Sequence, residues 1–170
     1  GQSQPFAGHI DEVTCVAFAS VGRVLLSGSR DASILAWDLT QGGQRRVIGT
    51  HYDWLRGFAV HPNGQTLASA SKDMSVRTWD VLAPDTGGRD LLHLSAHSGG
   101  ADGVAFSPDG ALLASSGRDH SAKIWDAISG DLLTTLEGHQ KPVLNVAFNP
   151  TGSFFVTASG DNSVRLWAVR

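Results

Sequence analysis

Four tryptophans set a register that leaves this chain few folds to choose from. Trp37, Trp79, Trp125 and Trp167 each follow an aspartate by six residues (Asp31, Asp73, Asp119, Asp161). Each aspartate in turn follows a histidine by 22 residues: His9, His51, His97 and His139. Only the interval from a tryptophan to the next histidine changes, at 14, 18 and 14 residues. A repeat that keeps its internal spacing and varies at one place is a supersecondary unit with one tolerant loop. The longer interval carries "VLAPDTGGRDLL", whose proline and glycines suit that loop.

Between the anchors each copy reads alike. An apolar run ("VTCVAF", "LRGFAV", "ADGVAF", "VLNVAF") leads into a turn. In three copies that turn is "HPNG", "SPDG" or "NPTG", while the first has "ASVG" and keeps only the glycine. A second short run follows, then a tight turn holding the aspartate, then a third run ending at tryptophan. Runs of five to seven residues rich in Val, Leu, Ile and Phe, punctuated by turn residues, predict strands, about four per copy. No stretch sustains a helical period, so the chain is expected to be all-β.

The recurring order Gly-His, "VAFSPDG"-like turn, "LAS", Asp, Trp-Asp resembles the WD-repeat β-propeller family over nearly the whole chain. The resemblance implies blades of four antiparallel strands, with repeats at about 7–49, 50–95, 96–137 and 138–170. Sheets packed on both faces need near-continuous apolar runs, and the strand nearest the axis suits small residues, here Ala17, Ala59, Ala105 and Ala147. It also implies a hydrogen-bonded set in each blade, in which a hydroxyl joins the three anchors: Ser27, Ser69, Ser115 and Thr157. Indole only donates, a hydroxyl relays, and imidazole accepts on one nitrogen while donating to the aspartate from the other. Ala168, where the other copies have aspartate, follows the set without belonging to it.

Four His/Asp/Ser groupings invite a catalytic reading, but an active site is built once and these recur in every copy. "SASK" at Ser69–Lys72 matches a Ser-x-x-Lys pattern, yet it stands in register with "SGSR" and "SSGR". "HSGGADG" lacks the spacing of a phosphate-cradling loop. Four of the seven histidines are accounted for by the repeat and Cys15 stands alone, so neither a metal nor a disulfide framework is expected, and no cofactor. Thirteen Lys and Arg against 16 Asp and Glu argue against nucleic-acid binding, and no apolar run is long enough to span a membrane. One cysteine and no signal-peptide pattern fit a cytoplasmic protein.

What departs from the repeat carries the functional expectation. Trp54 is the one tryptophan outside the anchors, and Tyr52 the one tyrosine; their counterparts in other copies are not aromatic. In the family these positions lie on the top-face rim, as do the residues before the anchor aspartates: Arg30, Lys72 and Arg118. An aromatic pair beside three cations suits an acidic or phosphorylated peptide. The expectation is a non-catalytic scaffold presenting these loops to a protein or peptide. The alternative is a sensor or regulatory module of a larger multidomain enzyme, as in the bacterial arrays that near-identical repeats resemble. Four blades are few for this family, so the chain is expected to form half of an eight-bladed ring. A second copy in a homodimer, or upstream blades of a longer protein, would complete it. Residues 1–6 would then supply the outer strand of a last blade.

Overall fold

The computed structural model describes residues 3–83 and 90–169. The insertion expected in the longest interval lies largely at 84–89, outside the described residues. Four antiparallel sheets follow one another along the chain. The first holds β1 (Val13–Ala19), β2 (Val24–Ser29), β3 (Ser33–Asp38) and β4 (Gln44–Thr50). The second holds β5 (Leu55–Val60), β6 (Thr66–Ser71), β7 (Ser75–Asp80) and β8 (Leu92–Ser95). The third comprises β9 (Ala101–Phe106), β10 (Leu112–Gly117), β11 (Ala122–Asp126) and β12 (Leu132–Leu136). The fourth has three strands: β13 (Val143–Phe148), β14 (Phe154–Ser159) and β15 (Val164–Ala168). Strand order within each sheet is sequential, which makes each a meander, and each is one propeller blade.

The turns obey the chemistry of their residues. In blades 2, 3 and 4 the Pro-containing turn closes with the glycine N–H donating three residues back, Gly64 to His61, Gly110 to Ser107 and Gly152 to Asn149. Those glycines have φ of +71°, +77° and +73°, the left-handed region that a type I turn leading into a strand demands. Blade 1 lacks the proline, and its turn is irregular: Ser20 and Val21 both take positive φ, and the Ser20 N–H donates across to the Gly64 carbonyl at 2.8 Å. The residue after each anchor aspartate is also left-handed, at Ala32, Met74, His120 and Asn162. Of these His120 and Asn162 are residues enriched in that region, whereas Ala32 and Met74 are not.

The blades stack through their faces. The inner strands β1, β5, β9 and β13 lie side by side in that order, and no comparable packing joins β13 back to β1. One core cluster sits between each pair of neighbours. Leu26, Ile34 and Ala36 of blade 1 meet Leu55, Leu67 and Trp79 of blade 2. Ala68, Ala70 and Val76 of blade 2 meet Val104, Leu113 and Trp125 of blade 3. Ala114 and Ile124 of blade 3 meet Val146 and Phe155 of blade 4. Small side chains make the fit close: a Cβ on Gly49 would overlap the Trp79 ring, and one on Gly28 would stand 2.6 Å from the Phe58 ring. Ala17, Ala59 and Ala105 pack into the three clusters as expected of an inner strand, whereas Ala147 is exposed on the free face of blade 4.

Both ends of the row are bare. Val13, Val16 and Phe18 on β1 are 53–64% exposed, while Leu55 and Val104, at two of the corresponding places, are buried. At the other end Val164 and Leu166 on β15 are 70% and 66% exposed, against 0% and 2% for Val76 and Thr78 in blade 2. The N-terminal segment forms no strand within the described residues 3–12, and no strand pairs with the free edge of β15. Phe6 instead packs on Trp37 of blade 1, ring centroids 5.5 Å apart. Of the segment expected to supply an outer strand to a closed ring, residues 3–6 form no strand in the single chain, and residues 1 and 2 lie outside the described residues.

Candidate functional site

Each blade carries its anchor set as a continuous chain of hydrogen bonds. The indole Nε1–H donates to the hydroxyl at 2.8–3.0 Å in all four pairs: Trp37–Ser27, Trp79–Ser69, Trp125–Ser115 and Trp167–Thr157. The hydroxyl donates to the imidazole Nε2 at 2.8 Å in every blade (His9, His51, His97, His139). With Nε2 accepting, the proton resides on Nδ1, which donates to Asp31, Asp73, Asp119 or Asp161 at 2.8–3.0 Å. A fifth member completes each set. The hydroxyls of Ser33, Ser75, Ser121 and Ser163 donate to the carboxylate at 2.5–2.8 Å, to the oxygen the imidazole leaves free in blades 1, 2 and 4 and to the shared Oδ1 of Asp119 in blade 3, and lie 3.0–3.3 Å from Nδ1. The Asp-x-Ser spacing recurs in all four repeats, so the signal for these serines is present in the sequence.

The surroundings set the protonation states. Burial pushes the His51 and His97 imidazoles below their ordinary value despite the attraction of Asp73 and Asp119, which keeps the rings neutral and the relay intact. Burial alone would raise the Asp31 carboxyl, but donors from Ser33, the Ile10 N–H and His9 outweigh it and bring it to about 2. Donors from Ser163, the Gln140 N–H and His139 hold Asp161 well below the carboxylate range. These groups are locked into structure, and a satisfied buried network stiffens each blade. The aspartates after the tryptophans do separate work: Asp38, Asp80 and Asp126 each accept a backbone N–H two residues on, at 2.8–2.9 Å. That is a local turn cap, which is why Ala168 can replace one without touching the relay.

On the rim, the Trp54 ring stands between two cations. The Arg30 guanidinium lies 4.7 Å from its centroid and the Lys72 ammonium 4.4 Å. Each cation also meets an acid of its own blade, Arg30 with Glu12 at 2.9 Å and Lys72 with Asp53 at 3.2 Å. Trp54 remains 40% exposed. Tyr52 is 86% exposed, with the Arg77 guanidinium 5.0 Å from its ring. Arg118 stands apart from Trp54's two cations and pairs with Asp102 at 2.7 Å. A cavity of about 400 Å³ opens between these groups, with Arg30, Trp54, Arg56, Asp102 and Arg118 in its wall. Arg56 and Asp102, which sequence reasoning missed, share one repeat position five residues after the anchor histidine, filled by Thr14 and Leu144 in blades 1 and 4. Their ion pair, 2.7 Å long, joins β5 to β9 of the next blade.

Comparison with known families matches the one described as "WD domain, G-beta repeat" at residues 2–38, 42–80, 88–126 and 130–168. The chain belongs to the WD-repeat family. Its matched units run one strand ahead of the blades: 42–80 takes β4 of blade 1 with β5, β6 and β7, and 130–168 takes β12 with β13, β14 and β15. In this phase the segment from residue 2 occupies the outer-strand place ahead of β1. Among curated relatives, nuclear distribution protein PAC1-2 of Postia placenta is 30% identical over 76 residues, covering 34% of this chain and 18% of that protein. The Lissencephaly-1 homolog of Caenorhabditis briggsae is 46% identical over 39 residues, 23% of this chain and 10% of that protein. The chain thus matches less than a fifth of the length of either relative.

WD-repeat proteins act in general as protein-interaction scaffolds, and the family is generally non-catalytic. The chemistry of the described residues is in keeping with that. Cys15 lies at the junction of blades 1 and 2, where burial pushes its thiol up to about 11, far from a nucleophile. His93 and His97 stand four residues apart, a spacing that could ligate a metal, but His97 is committed to the relay and His93 faces Asp90 at 3.7 Å. Among the described residues no group of three or more His, Cys, Asp or Glu converges on one point, and no helix is long and apolar enough to cross a membrane.

Proposed function

We propose that this chain is a cytoplasmic scaffold that presents its rim to an acidic or phosphorylated segment of a partner protein. The observation that carries the reading is Trp54. It is the one indole outside the relay, and two cations bracket its ring, which leaves part of it open to solvent beside a cavity. Bracketing holds the ring upright, so its apolar edge is pre-placed at little entropic cost. Arg30, Lys72 and Arg118 supply the cationic surround, and Tyr52 adds a second aromatic at the outer margin. The test is an array of acidic, phosphorylated and neutral peptides probed with the wild type and with Trp54→Ala at unchanged melting temperature. Binding to acidic peptides should fall at least tenfold in the variant. Equal signals from the two proteins would refute the reading. A role as regulatory module of a larger enzyme rests on the resemblance to bacterial arrays, and no residue of this chain argues for it.

We further propose that a second copy closes the ring. The bare rows are the two halves of one interface: Val156, Val164 and Leu166 stand where Leu26, Ile34 and Ala36 stand in blade 1. Val13, Val16 and Phe18 stand where Leu55, Phe58 and Val60 do in blade 2. Blade 4 of one protomer meeting blade 1 of its partner repeats the internal contact twice, with two-fold symmetry and eight blades. Residues 2–6 of each protomer would pair with the partner's β15, a reading supported by the family match beginning at residue 2, ahead of β1.

A further inference from the structure

We infer that the cavity beside Trp54 is the seat of a single phosphoryl group, held by Arg56 and Arg118 with Arg30 also in its wall. This deepens the reading of the rim as a partner-binding surface and rests on it.

The charge count selects the ligand. One carboxylate, Asp102, serves two guanidiniums: its Oδ1 accepts from Arg56 Nη1 at 2.7 Å, and its Oδ2 lies 2.7 Å from Arg118 Nε. The three groups therefore sum to one positive charge, and Arg30 makes two. Arg30's own partner, Glu12, lies 2.9 Å away with a side chain 66% exposed, and turning it out to solvent as the anion arrives would leave the Arg30 charge to the ligand. A phosphate monoester near neutral pH carries about −1.5 to −2, which matches, whereas a carboxylate matches only half.

The geometry points the same way. Asp102 has a side chain only 7% exposed, and it holds both arginines in place before any ligand arrives. It uses one Nη of Arg56 and the Nε of Arg118. Among the described residues no acceptor hydrogen-bonds the Nη groups of Arg118 or the other nitrogens of Arg56. Those are the donors that a fork presents to a tetrahedral oxyanion. Room for the anion is the cavity of about 400 Å³, and a glycine packed closely against Arg56 and the Lys72 backbone lets the arginine lie at its wall. Gly100 occupies the position that Trp54 and Pro142 hold in blades 2 and 4. Its φ is +114°, and a Cβ there would lie 3.1 Å from Arg56 Nη1. The binding groups are side chains on three blades rather than the backbone of a glycine-rich loop.

The test uses phenyl phosphate and benzoate as probes, titrated at low salt and neutral pH into protein labelled for observation of the arginine Nε–H resonances. Phenyl phosphate should move the Arg56 and Arg118 signals most and bind at least tenfold more tightly than benzoate. Arg118→Ala should lose that preference at a temperature below its own melting point, and Arg118→Lys, which keeps a cation beside the buried Asp102, should restore only part of it. Equal affinity for the two probes, uniform shifts across all arginines, or phosphate binding indifferent to Arg118→Ala would each overturn the inference. If the probes fail while Trp54→Ala still abolishes peptide binding, the phosphoryl seat alone falls. If phenyl phosphate binds as stated while Trp54→Ala leaves peptide binding intact, the broader reading of the rim falls instead.

Discussion

Blades 2 and 4 are built from nearly the same sentence of sequence and live in different surroundings. Both carry a complete relay, with hydroxyl-to-imidazole distances of 2.8 Å in each. Blade 2 is covered on both faces and its Trp79 is fully buried; blade 4 is covered on one, and Trp167 is part-exposed. The hydrogen-bond set is thus a property of a single blade, whereas burial is a property of a pair of blades. Fold and assembly separate along that line: the polar anchors shape each sheet, and the apolar faces decide how many sheets must come together.

The sharpest way to break the comparison is to remove the indole from each blade. Trp79→Ala should cost about 3–5 kcal/mol, because it opens a cavity between two sheets as well as breaking the relay. Trp167→Ala in the isolated chain should cost clearly less, since one side of the ring faces a bare surface. Urea denaturation of the two variants measures the difference, and equal losses would mean that blade 4 is as enclosed as blade 2. A second pair of substitutions should show the opposite pattern. Ser69→Ala and Thr157→Ala each strand an indole N–H and an imidazole nitrogen in a buried site, and each should lose about 2–4 kcal/mol. A much smaller loss in blade 4 would show that the relay depends on neighbouring blades.

Acid should weaken the fold in two steps. His51 and His97 hold protons less readily folded than unfolded, so the unfolded chain binds more protons as pH falls below the ordinary imidazole value of 6.5, and stability drops there. This first loss belongs to blades 2 and 3. The carboxylates act lower: Asp31 contributes in full above the ordinary 3.8, and its contribution disappears as pH falls through about 2. Melting temperatures across this range, repeated with His51→Gln, should show the upper step shrink in the variant. A step of unchanged size would assign the loss elsewhere.

The same divide explains what was legible in the sequence. Strands, turns and relay members follow from local chemistry repeated at fixed spacing, so Trp37 through Trp167 and their partners could be placed by register alone. The serines two residues after the anchor aspartates carried the same signal and complete the set. Contacts between blades do not repeat. Arg56 and Asp102 stand at one repeat position, five residues after the anchor histidines, where blades 1 and 4 have Thr14 and Leu144; the register aligns them, but the opposite charges that pair them belong to blades 2 and 3 alone. The rim cations illustrate a further limit: the family resemblance put Arg30 and Lys72 on the same rim as Trp54, but only coordinates show both within 5 Å of its ring centroid. Phe6, expected in an outer strand, caps Trp37 of its own first blade instead.

The smallest expected effect on the single chain bears on the largest claim. Val164→Asp alters a side chain already 70% exposed, so it should change the stability of the chain by no more than about 0.5 kcal/mol. In the closed ring the same carboxylate would be buried without a partner. Solution mass by light scattering, on wild type and variant together, therefore tests most directly whether blades 1 and 4 are two halves of one interface. The prediction is twice the 17.9 kDa of the chain for the wild type and the single-chain mass for Val164→Asp. A wild type that stays at 17.9 kDa at high concentration, or a variant that remains dimeric, would contradict it.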